Sequence, residues 1–319
     1  MSASQTPVPP AGHTVRAPRP DDAEAVADVK RAAYAGRRDG DLTADSIREE
    51  WALPRMDLEH DAWVVFAPDG RAAASALVFE DLPASFVRIG FVRPGPEALA
   101  LERYLLDVAE ARVRERLAAG PRSGDLTVIA FESERPSRDL YASRGYAQVR
   151  TFLRLAVSLE HRPPAPVVPE GIAIRPFRVG KDEHAVYTAV QEAFLDHWEP
   201  TELTYEEWRA IEYDAPSVDP GLWRVAWDGD QVAGVAIASA RTEDGWVDDL
   251  AVRRPWRGRG LGRALLLTAF EVLRGRGLTR ALLGVDTDNP TGAMGLYSSA
   301  GMTQAGDAHL VLRRRISAD

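Results

Sequence analysis

Arg257-Gly258-Arg259-Gly260-Leu261-Gly262 is the stretch on which the reading of this chain turns. It follows a strand-like run from Trp246 to Val252 and opens a strongly helical one from Arg263 to Arg274. Leu261, Leu265, Ala269 and Leu273 fall on one face of that helix. Three glycines within five residues let the backbone turn tightly and approach a ligand without Cβ interference. At a helix start the backbone N–H groups have no intrahelical acceptor and lie at the positive end of the dipole. Such a turn binds phosphate. Arg257, Arg259 and Arg263 add local positive charge to a chain whose net charge is -9.

Outward from this loop the coarse order of the second half is a strand at 171–176, a helix at 182–195 and an irregular region to about 220. Strands at 222–227 and 231–240 follow, joined by the hairpin signal Asp228-Gly229-Asp230. The strand at 245–252, the glycine loop and its helix come next, then a strand at 281–286, a helix at 290–299 and a strand at 309–314. The pattern is mixed α/β with an antiparallel start.

The same order is echoed upstream. Val15-Arg16-Ala17-Pro18 returns as Ile174-Arg175-Pro176, and Ala62-Trp63-Val64-Val65 as Leu222-Trp223-Arg224-Val225, where the tryptophans 63 and 223 stand 160 residues apart. Leu140-Tyr141-Ala142-Ser143-Arg144-Gly145 returns as Leu296-Tyr297-Ser298-Ser299-Ala300-Gly301, with tyrosines 141 and 297 offset by 156. A near-constant offset over separate segments reads as a tandem duplication. The expected organisation is a disordered tail at 1–12, a first domain at 13–160, a proline-rich linker at 161–170 and a second domain at 171–316. At the 160-residue offset, Arg257, Gly258, Gly260 and Gly262 correspond to Glu97, Ala98, Ala100 and Glu102. Two acids would repel a pyrophosphate, so the first half is expected to have lost the ligand.

The 319 residues suffice for two cores, and the acidic balance argues against general nucleic-acid or acidic-membrane binding. No run approaches the roughly 18 apolar residues of a membrane span, and the N-terminus lacks a signal-peptide pattern. A cytoplasmic protein is expected. With no cysteine, thiolate metal sites and a cysteine nucleophile are excluded, and the six histidines show no metal spacing. A dinucleotide fingerprint starting at Gly258 would need glycine where Arg263 stands.

Arg257-x-x-Gly260-x-Gly262 after a strand, then Asn289 and Leu296-Tyr297-x-x-x-Gly301, resembles the GNAT superfamily of acyl-CoA-dependent N-acyltransferases. The resemblance is strong over 171–315 and weak over 14–160. Its tandem arrangement resembles mycothiol synthase in architecture only, because there the first half generally keeps its CoA loop. The resemblance implies two tandem domains, each a mostly antiparallel mixed sheet flanked by helices, with acetyl-CoA as acyl donor. It implies that Arg257, Gly258, Arg259, Gly260, Leu261, Gly262 and Arg263 hold the pyrophosphate, largely through backbone N–H groups. Leu250, Ala251 and Val252 would follow the pantetheine arm, a backbone N–H near Val252 would face the acyl oxygen, and Asn289 would lie beside the donor.

Amide formation from a thioester needs a neutral amine, an oxyanion stabiliser and a proton for the departing thiolate. Tyr297 suits the last task, since a phenol stays protonated at neutral pH. Alternatively it packs its helix on the sheet. The resemblance implies an acid or histidine four residues before the strand's final valine, which makes Asp248 the first choice for base or amine anchor, with Asp249 second and His197 a further base candidate. The alternative reading makes both acids exposed strand residues or caps of a neighbouring helix. The segment with His197, Trp198 and Glu199, followed by Tyr205, Trp208 and Tyr213, suits a cationic amine pocket or a lid packed on itself. The expected acceptor is a small-molecule amine or a peptide N-terminus, acylated directly in a ternary complex within the C-terminal domain. The competing reading is a non-catalytic acyl-CoA sensor or partner-binding protein.

Overall fold

The computed structural model describes residues 7–35, 42–53, 55–200, 202–241, 244–289 and 291–318. Residues 1–6 of the tail, and Pro290 before the last helix, lie outside them. Within 7–12 the chain turns, and the His13 N–H donates to the Pro10 carbonyl at 3.0 Å.

The chain folds as two compact units, Met1–Thr151 with Asp307–Asp319, and Phe152–Gly306. The first contains β1 (Thr14–Arg16), α1 (Ala23–Ala33), α2 (Ala44–Trp51), α3 (Leu58–Asp61), β2 (Ala62–Phe66), β3 (Ala72–Leu82), β4 (Ser85–Val92), α4 (Ala98–Ala118), β5 (Ser123–Phe131) and α5 (Arg135–Ser143). The strand β6 (Ala147–Ser158) then leaves it, and residues 152–158 belong to the second unit. That unit continues with β7 (Ile172–Pro176), α6 (Glu183–Phe194), α7 (Tyr205–Trp208), a π-helical turn (Arg209–Tyr213), β8 (Arg224–Asp228), β9 (Gln231–Arg241), β10 (Asp244–Val252), α8 (Leu261–Gly275), β11 (Arg280–Asp286), α9 (Ala293–Ser299) and the short β12 (Thr303–Gln304). The last strand, β13 (His309–Ser317), returns to the first unit.

Each unit is therefore a mixed sheet, antiparallel except at one junction. The first runs β1-β2-β3-β4-β5-β13 with β4 and β5 parallel, and the second runs β7-β8-β9-β10-β11-β6 with β10 and β11 parallel. The final strand of each sequence half thus completes the sheet of the other half. β13 is fixed there by charge as well as by its ladder: Arg314 donates to the buried Glu110 of α4 at 2.9 Å and Arg315 to Asp125 at 3.2 Å.

In the second unit Val232 to Ala238 of β9 are all buried, as a strand covered on both faces requires. On one side lies α8, whose Leu261, Leu265, Ala269 and Leu273 are buried; on the other lies α6, whose Val186, Ala189, Val190 and Ala193 repeat at helical spacing. Trp208 and Trp223 fill the space beneath the α7 segment, with ring centroids 6.3 Å apart. No helix of the described residues is long and apolar enough to cross a membrane.

Candidate active site

The site begins where two strands part. Among the described residues β10 and β11 pair only at Gly245–Ala281 and Trp246–Leu282. On its other edge β10 carries a bulge: Val247 lies opposite Ala238, but Asp249 lies opposite Ile237, so Asp248 has no partner residue of its own. Beyond this point the strands diverge. The opening is a cavity of about 580 Å³ lined by Val247, Asp248 and Leu250–Val252 from β10, and by Leu283–Asp286 from β11. Its far wall includes Phe194 at the end of α6, His197 just after it, and Phe152 from the incoming β6.

One end of the cavity is the glycine loop. Gly258 and Gly260 have φ of 72° and 84°, the left-handed region that non-glycine residues enter at a cost. Gly260 is the N-cap of α8 and no side chain caps the helix, so its first N–H groups remain open to a ligand. A Cβ at Gly262 would stand 2.8 Å from Leu296 Cδ1. These features fit a pyrophosphate-bearing donor through backbone rather than side-chain contacts. Arg257 also lines the cavity, but its guanidinium is engaged, donating to Asp196 at 2.5 Å and to the carbonyls of Val252 and Ala193 at 2.9 and 3.0 Å. It ties the end of α6 to the end of β10 and so holds the loop in place. Arg254 and Arg257 together keep the Asp196 carboxyl well below the usual range. Arg263 lines the cavity, whereas Arg259 reaches the Glu170 carbonyl at 3.4 Å and stands outside its wall. Asn289 also lines it, and its side-chain oxygen accepts from the Thr291 N–H at 2.9 Å, bracing the turn into α9.

At the reacting end the acids separate. Asp248 faces the cavity and is ion-paired with Arg241, whose guanidinium lies 4.6 Å from the Trp246 ring centre. Asp249 shares the sheet face of Trp246, and burial together with the charges of Glu212 and Asp248 raises its pKa well above the carboxylate range. Glu212, on the π-helical turn, is pushed up to about 7 by burial and by Asp248, with Arg241 opposing. Burial and the Asp249 charge push Tyr297 up to about 12. Tyr297 lines the cavity, and its hydroxyl makes no hydrogen bond to a described residue. His197 packs on Phe194 with centroids 4.3 Å apart, and burial lowers its pKa. Trp198 and Glu199 lie in the turn after α6, outside the cavity wall, with Glu199 at φ 49°. Among the described residues no cluster of three His, Asp or Glu side chains could hold a metal. Sequence reasoning missed Phe152, which stands in the opposite half of the repeat.

The equivalent place in the first unit is filled. β4 and β5 stay paired through Arg88–Val128, and β4 runs along β3 without a bulge from Phe86 to Val92. Arg88, Glu102 and Tyr141, the repeat counterparts of Asp248, Gly262 and Tyr297, are 2%, 7% and 2% exposed. Arg88 donates to Glu102 at 2.7 Å and to the Tyr141 oxygen at 3.1 Å, and the Tyr141 hydroxyl donates to Glu102. An ion pair and a satisfied phenol thus stand where the second unit has open space and a free phenol.

A parted parallel strand pair, an uncapped helix after a glycine loop and a free phenol define an acyltransferase of the GNAT type. The acetyltransferase (GNAT) family model matches residues 184–302. A mycothiol acetyltransferase of Thermomonospora curvata is 34% identical over 241 residues, covering 75% of this chain and 73% of that protein. A GCN5-related N-acetyltransferase from Sphaerobacter thermophilus superposes with a TM-score of 0.80 at 33% identity, covering 97% and 98% of the two chains. A tandem GNAT protein from the clavulanic acid biosynthesis pathway superposes at 0.73, with 19% identity and 96% and 99% coverage, a likeness of fold. The chain belongs to the GNAT family, with a tandem-domain architecture, and is an acyltransferase.

Proposed function

We propose that the second unit transfers an acetyl group from acetyl-CoA directly to a primary amine of a small molecule. The observation that carries this reading is the contrast between the units: the β10–β11 cleft is open above a free Tyr297, while its counterpart is occupied by Arg88, Glu102 and Tyr141. Relatives named as mycothiol acetyltransferases favour a small-molecule acceptor over a peptide.

The uncapped start of α8 holds the donor's pyrophosphate, Leu250 to Val252 guide the thioester along β10, and a backbone N–H near Val252 receives the acyl oxygen. Asp248, fixed by Arg241, anchors the ammonium. The ammonium first loses one proton to a carboxylate. Its nitrogen then bonds to the acyl carbon and the carbon–sulfur bond breaks. Tyr297 gives its proton to the departing thiolate and recovers one from the new amide nitrogen, so the products are the amide, free CoA and one proton released to solvent. With no cysteine in the chain, no acyl-cysteine enzyme forms.

CoA release measured over a panel of small amines tests the activity; release with none of them would refute it. Calorimetric titration should return one acetyl-CoA per chain. Glu102→Gln should leave that affinity unchanged while costing about 3–5 kcal/mol of stability, because it strands the buried Arg88 charge. Two equivalent sites, or loss of binding in Glu102→Gln, would place the donor in the first unit instead.

A further inference from the structure

We propose that the acceptor is an α-amino acid in its zwitterionic form, with its ammonium taken by Asp248 and its carboxylate by Arg241. The proposal rests on the acyl-transfer reading above and adds the chemical class of the acceptor. It starts from the bulge in β10. No residue of β9 stands opposite Asp248, and this carboxylate lines the cavity. Its ion-pair partner is Arg241, at the end of β9. The guanidinium is firmly held but only partly used. It lies 4.6 Å from the Trp246 ring centre, its Nε donates to the Ser239 hydroxyl at 3.3 Å, and its Nη2 donates to Oδ1 of Asp248. Nη1 donates to no described residue, and Oδ2 of Asp248 accepts from none.

One ion pair at the cavity therefore presents an unspent donor edge beside an unspent acceptor oxygen. A plain amine would use only the second. An ammonium and a carboxylate on the same carbon use both, and a guanidinium edge matches a carboxylate in geometry as well as charge. The surroundings favour the anion too. Arg154 of β6 brings a second guanidinium to within 5.6 Å of the Trp246 ring centre. Gly284, opposite Arg154 in the ladder, lines the cavity, and a Cβ there would meet nothing within 4 Å, which leaves room for an acceptor over β11. Glu212 also feels the Arg241 charge, but burial and Asp248 lift it to about 7, so it gives the guanidinium no settled counter-charge.

The reaction itself changes this match. By the proton steps given above, the amine nitrogen bonds to the acyl carbon, the carbon–sulfur bond breaks and the thiolate leaves with the Tyr297 proton. The acceptor's carboxylate takes no part. The product is an N-acyl amino acid that keeps its negative charge but has exchanged its ammonium for a neutral amide. Asp248 then faces an anion with no cation to offset it, so the product is held less tightly than the substrate and leaves.

The test measures CoA release at saturating acetyl-CoA for α-amino acids with apolar, polar and charged side chains. Each is run beside its carboxamide and beside the amine that lacks the carboxyl group. For the preferred side chain, kcat/KM should be at least about 10-fold higher for the acid than for either companion, and mass spectrometry should find the acetyl group on its nitrogen. Arg241→Gln should raise the acceptor KM for that acid about 10- to 100-fold, level it with its carboxamide and leave the donor KM unchanged. An arginine that merely orients Asp248 would instead affect all three compounds alike. A retained rise in melting temperature with acetyl-CoA certifies that the variant is folded. Carboxamides and plain amines that match the acids in the wild type, or a preference that survives in Arg241→Gln, overturn the acceptor class alone. CoA release with none of the acids overturns it as well, and release with no small amine at all overturns the acyl-transfer reading with it.

Discussion

Tyr297→Phe is expected to lower kcat by at least about 100-fold while leaving the donor KM and the melting temperature nearly unchanged. The phenol oxygen makes no hydrogen bond to a described residue, so deleting it strands no buried partner and costs little stability. In the proposed reaction it removes the proton for the departing thiolate. A pKa raised to about 12 keeps the group protonated through the neutral range, so no alkaline loss of activity from this residue should appear below about pH 10. Turnover unchanged by the substitution would remove Tyr297 from the chemistry. Tyr141→Phe is the informative companion: it takes one partner from a buried Arg–Glu pair, and it should lower stability and spare kcat.

Gly260→Glu should abolish the acetyl-CoA-dependent rise in melting temperature. Two effects combine. A side chain at φ 84° costs roughly 1–2 kcal/mol, a shift of a few degrees in Tm. The new carboxylate also stands where the donor's anionic group would approach the helix. Unit charges of like sign about 4 Å apart near a protein surface repel by roughly 4 kcal/mol, close to 1000-fold in affinity. An undiminished rise in Tm would show that the donor binds elsewhere. The first unit performs a related substitution in its own sequence, with glutamate at 97 and 102.

The second sheet, its flanking helices and the glycine loop were legible because each is a local pattern. Leu261, Leu265, Ala269 and Leu273 repeat at helical spacing, and the loop carries its glycines in order. What was hidden depends on neighbours. Which of Asp248 and Asp249 stands opposite a residue of β9 is set by the bulge, and strand alternation alone cannot reveal that. Glu212 comes from an aperiodic segment whose folding follows from packing around Trp208 and Tyr213, stacked with centroids 6.5 Å apart. Phe152 reaches the cavity because β6 pairs with β11, from Phe152–Asp286 to Ser158–Arg280. A repeat read as two successive halves assigns that strand to the wrong neighbour.

The same crossing of strands governs when the protein can be completed. β5 is joined along its whole length by β13, from Phe131–His309 to Ser123–Ser317. Those partners are almost two hundred positions apart in the chain, a separation that slows closure and leaves that edge of β5 unpaired until β13 has been made. The half made first is therefore the half finished last. Loss of β13 alone would strike the N-terminal sheet, while the cleft encoded nearest to it keeps every strand that lines its walls.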